Sequence, residues 1–109
     1  MKYLITGGAG FIGSHIARAL LQQGADVRIF DNFSSGKREN LSGLNVEVIE
    51  GDLRDASRVT EAVRGVNVIF HEAAFVSVAE SMEKPQECFD VNVTGTSILF
   101  ESARRAGVN

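Results

Sequence analysis

The stretch MKYLITGGAGFIG (residues 1–13) combines a short apolar strand, a glycine-rich turn and the start of a helix. Glycine recurs there in two overlapping registers, Gly8-x-Gly10-x-x-Gly13 and Gly7-x-x-Gly10-x-x-Gly13. Because no side chain intervenes, such a turn lets a phosphate approach the free backbone N–H groups and the positive dipole end of the helix. The spacing therefore predicts a phosphate-binding turn between a strand and a helix.

An acidic residue follows at the position where a dinucleotide site needs one. Asp31 ends a second apolar run, residues 27–30. A carboxylate there can accept hydrogen bonds from the adenosine ribose hydroxyls, and it repels the 2′-phosphate of NADP. Asp31-Asn32 is also good turn chemistry, and Lys37 and Arg38 lie close enough in sequence to bind a 2′-phosphate. The pattern predicts a nicotinamide cofactor and favours NAD over NADP.

Length and composition limit the remaining possibilities. A chain of 109 residues with 44% hydrophobic residues allows one domain with a modest core. A net charge of −3 gives no reason to expect nucleic acid or an anionic membrane as a partner. The single cysteine, Cys88, cannot form an internal disulfide, so we expect a cytoplasmic location. No apolar run approaches the ~20 residues of a membrane span. His15 and His71 are expected to be hydrogen-bonded core residues, and no metal site is predicted.

Strand and helix patterns alternate along the whole chain. We predict strands at residues 1–6, 27–30, 46–49 and 66–70, and helices at residues 11–23, 56–64 and 86–106. Asp55 is expected to cap the second helix, and Pro85 to begin the third. Each helix is followed by a glycine suited to end it: Gly24, Gly65 and Gly107. The alternation predicts an α/β fold, a Rossmann-type parallel sheet in the order 3-2-1-4 with helices on both faces.

Six segments resemble the extended short-chain dehydrogenases, specifically the NAD-dependent nucleotide-sugar epimerase/dehydratase group. They are TGGAGFIGSH (6–15), DNFSSGK (31–37), GDL (51–53), HEAA (71–74), KP (84–85) and NVTGT (92–96). Within that family the similarity is strongest to the UDP-glucose 4-epimerases. It extends over all 109 residues in order. It is therefore more specific than the glycine motif alone.

The resemblance implies which residues bind NAD. Asp52 and Leu53 match a pair that holds the adenine, Lys84 a lysine that reaches phosphate and ribose oxygens, and Asn92 a helix asparagine that helps shape the active site. By themselves, Asp52 also fits a strand-end turn, Lys84 a solvated surface charge and Asn92 a polar helix surface. The expected cofactor-binding residues are Gly7, Gly10, Phe11, Ile12, Gly13, Asp31, Asn32, Ser35, Gly36, Asp52, Leu53, Ala73, Ala74, Lys84 and Asn92.

The resemblance also implies that catalytic residues are absent from this sequence. Family members use a Tyr-x-x-x-Lys pair with a Ser or Thr, in which the lysine and the cofactor lower the pKa of the tyrosine. The only tyrosine here is Tyr3, and the residue four positions later is Gly7. We therefore expect residues 1–109 to be the incomplete amino-terminal NAD-binding domain of a nucleotide-sugar epimerase, truncated after the fourth strand and its following helix.

Such a chain is expected to be inactive alone, and a nucleotide sugar would bind only in a full-length parent. The alternative is a stand-alone NAD-binding or redox-sensing module without catalysis. An exposed edge of the fourth strand would favour self-association.

Overall fold

The computed structural model describes residues 1–33, 37–72, 86 and 94–107. Within these residues the chain alternates strands and helices, as its sequence predicts. The elements are β1 (Lys2–Thr6), α1 (Phe11–Gln22), β2 (Asp26–Asp31), a 3-10 helix (Arg38–Leu41), β3 (Glu47–Glu50), α2 (Ala56–Val63), β4 (Val68–His71) and α3 (Thr96–Ala106). No helix in the described part of the chain is long and apolar enough to cross a membrane.

The four strands form one sheet in the order β3-β2-β1-β4, and each pair of neighbours is parallel. Tyr3 on β1 lies between Val27 on β2 and Val68 on β4. Since all the strands run the same way, their carboxyl ends meet at one edge of the sheet. The predicted Rossmann-type order is confirmed.

The core has two parts, one on each face of the sheet. Leu4 and Phe30 pack with α2 and α3 on one face, whereas Ile5 and Ile29 pack with α1 on the other. Consecutive residues of β1 and β2 thus point to opposite faces, as the period of a strand requires. Both faces are covered, which explains why these strands are almost continuously apolar.

The predicted cap of the second helix and the predicted glycines after the three helices agree with the structure. The Asp55 carboxylate accepts hydrogen bonds from the backbone N–H groups of Ser57 (3.2 Å) and Arg58 (3.4 Å) at the start of α2. Gly24, Gly65 and Gly107 follow the three helices with φ values of +80°, +75° and +77°. These left-handed conformations favour glycine, which has no Cβ to clash.

The structure adds a short helix and moves the starts of two strands relative to the prediction. The polar loop at residues 32–43 contains a short helix, Arg38–Leu41, which apolar periodicity does not reveal because only Leu41 is buried. The strands β3 and β4 begin later than predicted, at Glu47 and Val68. The third helix is described from Thr96 onward, and Pro85 and Cys88, expected near its start, lie outside the described residues.

A buried arginine joins the sheet to α2. Arg28 lies on β2 and is only 8% exposed. Its Nη1 donates to the carbonyl oxygens of Ala62 (2.6 Å) and Arg64 (2.8 Å), and its Nε donates to Glu47 on the neighbouring strand β3. Arg28 therefore satisfies carbonyl groups at the end of α2 that have no intrahelical donor. The sequence does not reveal this role, because Arg28 lies within an apolar run.

We expect the substitution Arg28→Met to lower the free energy of unfolding by about 3 kcal/mol, because it leaves buried carbonyl groups without donors. Urea unfolding followed by circular dichroism measures the change. Arg105→Met is the matched control: Arg105 forms an exposed ion pair with Glu101 on α3, so its loss should cost less than about 0.5 kcal/mol. Equal effects of the two substitutions would contradict the assignment.

Candidate cofactor-binding site

The carboxyl edge of the sheet carries the predicted phosphate-binding turn. After Thr6 the chain leaves β1, forms a turn at residues 7–10, here called the glycine turn, and enters α1 at Phe11. The first N–H of the turn, that of Gly7, donates to the carbonyl oxygen of Phe30 on β2 at 2.8 Å. In an open parallel sheet this edge is where ligands bind, close to the point at which the strand order reverses.

The glycines of the motif serve different purposes. Gly7 has a φ of +70°, which a residue with a Cβ adopts only with strain. A Cβ on Gly8 would approach the Cγ2 of Ile29 to 2.7 Å, and a Cβ on Gly13 would approach the Cα of Gly8 to 2.8 Å. Gly8 and Gly13 thus allow the turn, β2 and α1 to pack in direct contact.

Gly10 differs from Gly8 and Gly13 because its surroundings are less crowded. A Cβ built there would meet only the carbonyl oxygen of Gly7, at 3.2 Å. Gly10 is also the residue that precedes α1, and it provides no side-chain hydrogen bond to the helix. The first N–H groups of α1 have no acceptor within the helix, and the positive dipole end lies there. This combination can receive an anion.

Two apolar side chains border this helix start and face solvent. Phe11 is 77% exposed and Ile12 is 62% exposed. The ring of Phe11 meets the ring of His15 edge-on, with 4.6 Å between centroids. His15 is exposed, so the expectation that it is a core residue is wrong. It lies on the second turn of α1, where its side chain faces outward because the inner face of the helix packs on the sheet.

Asp31 is buried at the end of β2, with 7% of its surface exposed. One carboxylate oxygen, Oδ2, accepts the backbone N–H of Ala9 at 2.9 Å, and the other, Oδ1, accepts the backbone N–H of Phe33 at 2.8 Å. The second bond is the turn chemistry expected of Asp31. The first links the end of β2 to the glycine turn, so this carboxylate helps to orient the turn.

The 3-10 helix and the residue before it also hold the glycine turn, through the carbonyl oxygen of Ala9. The backbone N–H of Lys37 donates to the carbonyl oxygen of Ala9 at 3.1 Å, and the Nδ2 of Asn40 donates to the same oxygen at 2.7 Å. Asn40 was not among the predicted site residues. A single amide side chain in a polar loop carries no periodic signal, and its partner lies 31 positions earlier in the sequence.

The charge of Arg38 is already engaged. Its guanidinium forms an ion pair with Glu50 and lies 4.2 Å from the centre of the Phe33 ring. Phe33 itself has a left-handed backbone, with a φ of 58°. Glu50 pairs in register with Asp31 on the neighbouring strand, so this ion pair lies beside the expected ribose position. Any 2′-phosphate would have to compete with Glu50 for Arg38.

Asp52 and Leu53, the expected adenine pair, follow β3. The carboxylate of Asp52 accepts hydrogen bonds from the side chain of Arg54, at 2.9 Å from Nε and 2.6 Å from Nη2. These bonds hold the pKa of Asp52 below its usual range, despite an opposing effect of burial. The side chain of Leu53 is buried in the core. Leu53 can therefore meet a base only through its backbone.

His71, the last residue of β4, connects this strand to β1 and α3. Its Nδ1 is 2.6 Å from the hydroxyl of Thr6 at the end of β1, and its Nε2 is 2.9 Å from the hydroxyl of Thr96 on α3. A neutral imidazole suits these partners, since one ring nitrogen donates and the other accepts. Burial lowers the pKa of His71, and the nearby charge of Glu72 opposes this shift. His71 agrees with the expected hydrogen-bonded structural role.

Several predicted site residues cannot be placed. Ser35, Gly36, Ala73, Ala74, Lys84 and Asn92 lie outside the described residues. In the ranges that are described, no three His, Cys, Asp or Glu residues are grouped so that they could hold a metal ion. The structure thus brings together the glycine turn, the start of α1, Asp31 and Asn32 with Asp52 at one edge of the sheet.

Comparisons with known proteins agree with this geometry. The family model described as NAD dependent epimerase/dehydratase family matches residues 3–109. A UDP-glucose 4-epimerase of Klebsiella pneumoniae is 44% identical over 116 residues, which cover 99% of this chain and 84% of that protein. A UDP-glucose 4-epimerase of Erwinia amylovora is also 44% identical, over all of this chain but only 35% of its own length.

Solved structures show the same relation. The UDP-glucose 4-epimerase of Thermus thermophilus in complex with NAD has a TM-score of 0.92 and 44% identity, covering 100% of this chain and 35% of that one. DesIV, a dTDP-glucose 4,6-dehydratase of Streptomyces venezuelae with NAD and TYD bound, has a TM-score of 0.92 and 37% identity. This match covers 99% of the present chain and 37% of the dehydratase chain. The chain thus spans about a third of the length of these two enzymes.

The packing of Gly13 leads to a stability prediction. Gly13→Ala should lower the free energy of unfolding by about 2 kcal/mol, because the added methyl must push α1 away from the glycine turn. This loss outweighs the ~1 kcal/mol by which alanine favours a helix over glycine. Gly10→Ala is the control, with an expected change below about 1 kcal/mol. A Gly13→Ala variant as stable as the wild type in urea unfolding would refute the close-packing role.

The lowered pKa of His71 predicts a pH dependence. Between its folded-state pKa and the unfolded value of about 6.5, the unfolded chain binds more protons than the folded one. The free energy of unfolding should therefore fall as the pH falls below about 6.5, by at most ~1.4 kcal/mol per pH unit. Urea unfolding at several pH values from roughly 7.5 to 5.5 should show this slope, and His71→Gln should reduce it. An identical slope in both proteins would be the contrary result.

Proposed function

The chain belongs to the NAD-dependent epimerase/dehydratase family, and from this premise we propose that it binds NAD at the carboxyl edge of its sheet. We further propose that it serves as the cofactor-binding portion of a nucleotide-sugar epimerase. The observation that carries the proposal is the free start of α1, preceded by Gly10 and lying beside the buried carboxylate of Asp31. Together these provide one site for a phosphate and one for a ribose, at adjacent positions.

The pyrophosphate is assigned to the start of α1. Its negative charge complements the positive dipole end, and the N–H groups of residues 11–13 supply donors. Because Gly10 has no side chain, the phosphate oxygens can approach the backbone at this position. Phe11 and Ile12, which are exposed in the described chain, would be covered by the bound cofactor.

The adenosine ribose is assigned to Asp31. A carboxylate has about four acceptor sites, and two of them are used by the backbone N–H groups of Ala9 and Phe33. The remaining two can accept the two ribose hydroxyls. A 2′-phosphate would meet the same negative charge, and the guanidinium of Arg38 is paired with Glu50. These contacts support NAD over NADP.

The adenine is assigned to the segment after β3. Asp52 can accept a hydrogen bond from the exocyclic amine while it remains bound to Arg54, and Leu53 can offer its backbone. Asn32 lies at the same edge, next to Asp31. The contacts expected of Ser35, Gly36, Ala73, Ala74, Lys84 and Asn92 remain predictions from the family resemblance.

The proposed reaction of the complete enzyme is epimerisation of a sugar nucleotide. NAD, when bound, supplies an acceptor that takes a hydride from C4 of the sugar and can return it to the other face. The described residues bind and orient this cofactor, but we assign none of them to acid–base catalysis. Tyr3 lies in the first half of β1, packed against Phe70 with 6.1 Å between ring centroids, away from the carboxyl edge.

A stand-alone NAD-binding module is the second candidate. Among the strands that the structure describes, in the order β3-β2-β1-β4, β4 is an outer strand, and an outer strand can pair with another chain. We therefore propose that the chain can self-associate along β4. That residues 1–109 form one NAD-binding domain and that the protein is cytoplasmic also remain proposals. The molar mass in solution, measured by light scattering, distinguishes a monomer from a self-associated form.

Calorimetric titration with NAD and NADP tests the cofactor proposal. We expect saturable NAD binding by the 109-residue chain, weaker NADP binding, and a melting temperature that rises with the NAD concentration. Asp31→Ala should weaken NAD binding by roughly 10- to 100-fold, the range expected when hydrogen bonds to a charged group are lost. It should also bring the two affinities closer together.

The ratio of the two affinities is the informative quantity. Asp31→Ala also removes the bond to Ala9 in the glycine turn, which should weaken both ligands alike. Asp26→Ala is the control, since Asp26 is an exposed carboxylate at the opposite end of β2. Absence of NAD binding at millimolar concentration would overturn the proposed function. An unchanged ratio in Asp31→Ala would overturn only the ribose assignment.

A further inference from the structure

The peptide unit that joins Ala9 to Gly10 is held from both sides. Its carbonyl oxygen accepts the Nδ2 of Asn40 at 2.7 Å and the backbone N–H of Lys37 at 3.1 Å. Its N–H, that of Gly10, donates to the carbonyl oxygen of Gly7 at 3.0 Å. Because a peptide unit is planar, donors on its oxygen side also set the direction of its N–H. The orientation of this unit is therefore decided partly by residues outside the turn.

The turn needs such support, because its own sequence gives it little rigidity. Three of its four residues are glycines, which have more backbone freedom than any other residue. Fixing the backbone of one residue costs roughly 1–2 kcal/mol of conformational entropy. A ligand that had to order the turn itself would bind more weakly by the same free energy. Contacts that order the turn beforehand thus increase affinity without touching the ligand.

Asn40 is well placed to give this support. It belongs to the 3-10 helix, in which its own N–H donates to the carbonyl oxygen of Lys37 at 3.0 Å. The next residue, Leu41, is buried in the core cluster that contains Ile5 and Ile29. The core therefore anchors the short helix, and the helix presents the Asn40 amide to Ala9. Asn40 is half-buried, which shields the hydrogen bond from water.

We propose that Asn40 is a positioning residue for nucleotide binding. By holding the Ala9–Gly10 peptide unit, it keeps Gly10 and the first N–H groups of α1 in the arrangement that receives a pyrophosphate. The inference rests on the proposed function. It differs from the role of Asp31, because Asn40 acts on the turn alone and leaves the ribose contact unchanged. Its loss should therefore weaken NAD and NADP equally.

The test compares three substitutions in the 109-residue chain. Asn40→Ala removes the donor, and Asn40→Leu removes it while keeping the branched shape and the number of heavy side-chain atoms and adding no charge. Asn67→Ala is the matched control: the Oδ1 of Asn67 accepts the backbone N–H of Lys2 at 2.8 Å. That hydrogen bond also joins an asparagine amide to a backbone group, with the side chain as acceptor instead of donor, and it lies at the amino end of the sheet, away from the site. Thermal unfolding of each variant establishes that it is folded at the temperature of the titration.

Two measurements are made on each protein. Calorimetry gives the affinities for NAD and NADP, and NMR hydrogen exchange gives the opening of the Gly10 N–H without any ligand. We expect both Asn40 variants to bind NAD and NADP about tenfold more weakly, the equivalent of one lost hydrogen bond, with their ratio unchanged. We also expect faster exchange at Gly10. Asn67→Ala should leave affinities and the Gly10 exchange rate at wild-type values.

The outcomes separate this inference from the proposed function. If the wild-type chain does not bind NAD, the proposed function fails, and the Gly10 exchange rate still decides whether Asn40 holds the turn. If the wild type binds NAD and both Asn40 variants bind it equally well, the positioning role is overturned. A change in the NAD-to-NADP ratio, or an equal loss of affinity in Asn67→Ala, would also overturn it.

Discussion

The direct contact between α1, the glycine turn and β2 is the constraint on which the rest of the structure depends. Gly13 of the helix lies against the backbone of the turn, and Gly8 of the turn lies against Ile29 of the sheet. No Cβ fits at either position. The backbone of the helix therefore contacts the backbone of the turn, and the backbone of the turn contacts the side chain of Ile29. This close approach brings the start of α1 to the carboxyl edge of β1, where its dipole and free N–H groups can act on a ligand.

Polar contacts then fix the turn that the glycines allow. Asp31 binds the N–H of Ala9, and Asn40 with Lys37 binds its carbonyl oxygen. The glycines supply close approach, whereas these contacts supply rigidity. Gly10 is less crowded than Gly8 and Gly13, since a Cβ there would meet only the carbonyl oxygen of Gly7. Asp31 has two roles: its carboxylate holds the turn through the N–H of Ala9, and it is the group expected to bind the ribose.

Two arginines near this site, one buried and one exposed, have different kinds of partners. Arg28 is buried, and its guanidinium donates to two carbonyl oxygens at the end of α2 and to Glu47. Its charge is therefore compensated by hydrogen bonds and an ion pair. Arg38, on the surface, is shared between Glu50 and the ring of Phe33. The first arrangement stabilises the sheet–helix packing. The second gives Arg38 partners with which a 2′-phosphate would have to compete.

The sequence by itself determined the order of strands and helices, the parallel sheet, and the glycine turn with Asp31. Apolar periodicity, helix caps and glycine spacing are local properties of the chain, and they are read within a few residues of each other. Only the tertiary structure decided that Gly8 and Gly13 pack against neighbouring groups, that Asn40 binds Ala9, that Arg28 caps α2, and that His15 is exposed. These contacts join residues far apart in sequence, as the 31 positions between Ala9 and Asn40 show. A single polar side chain leaves no periodic trace, so its partner is known only when the chain has folded.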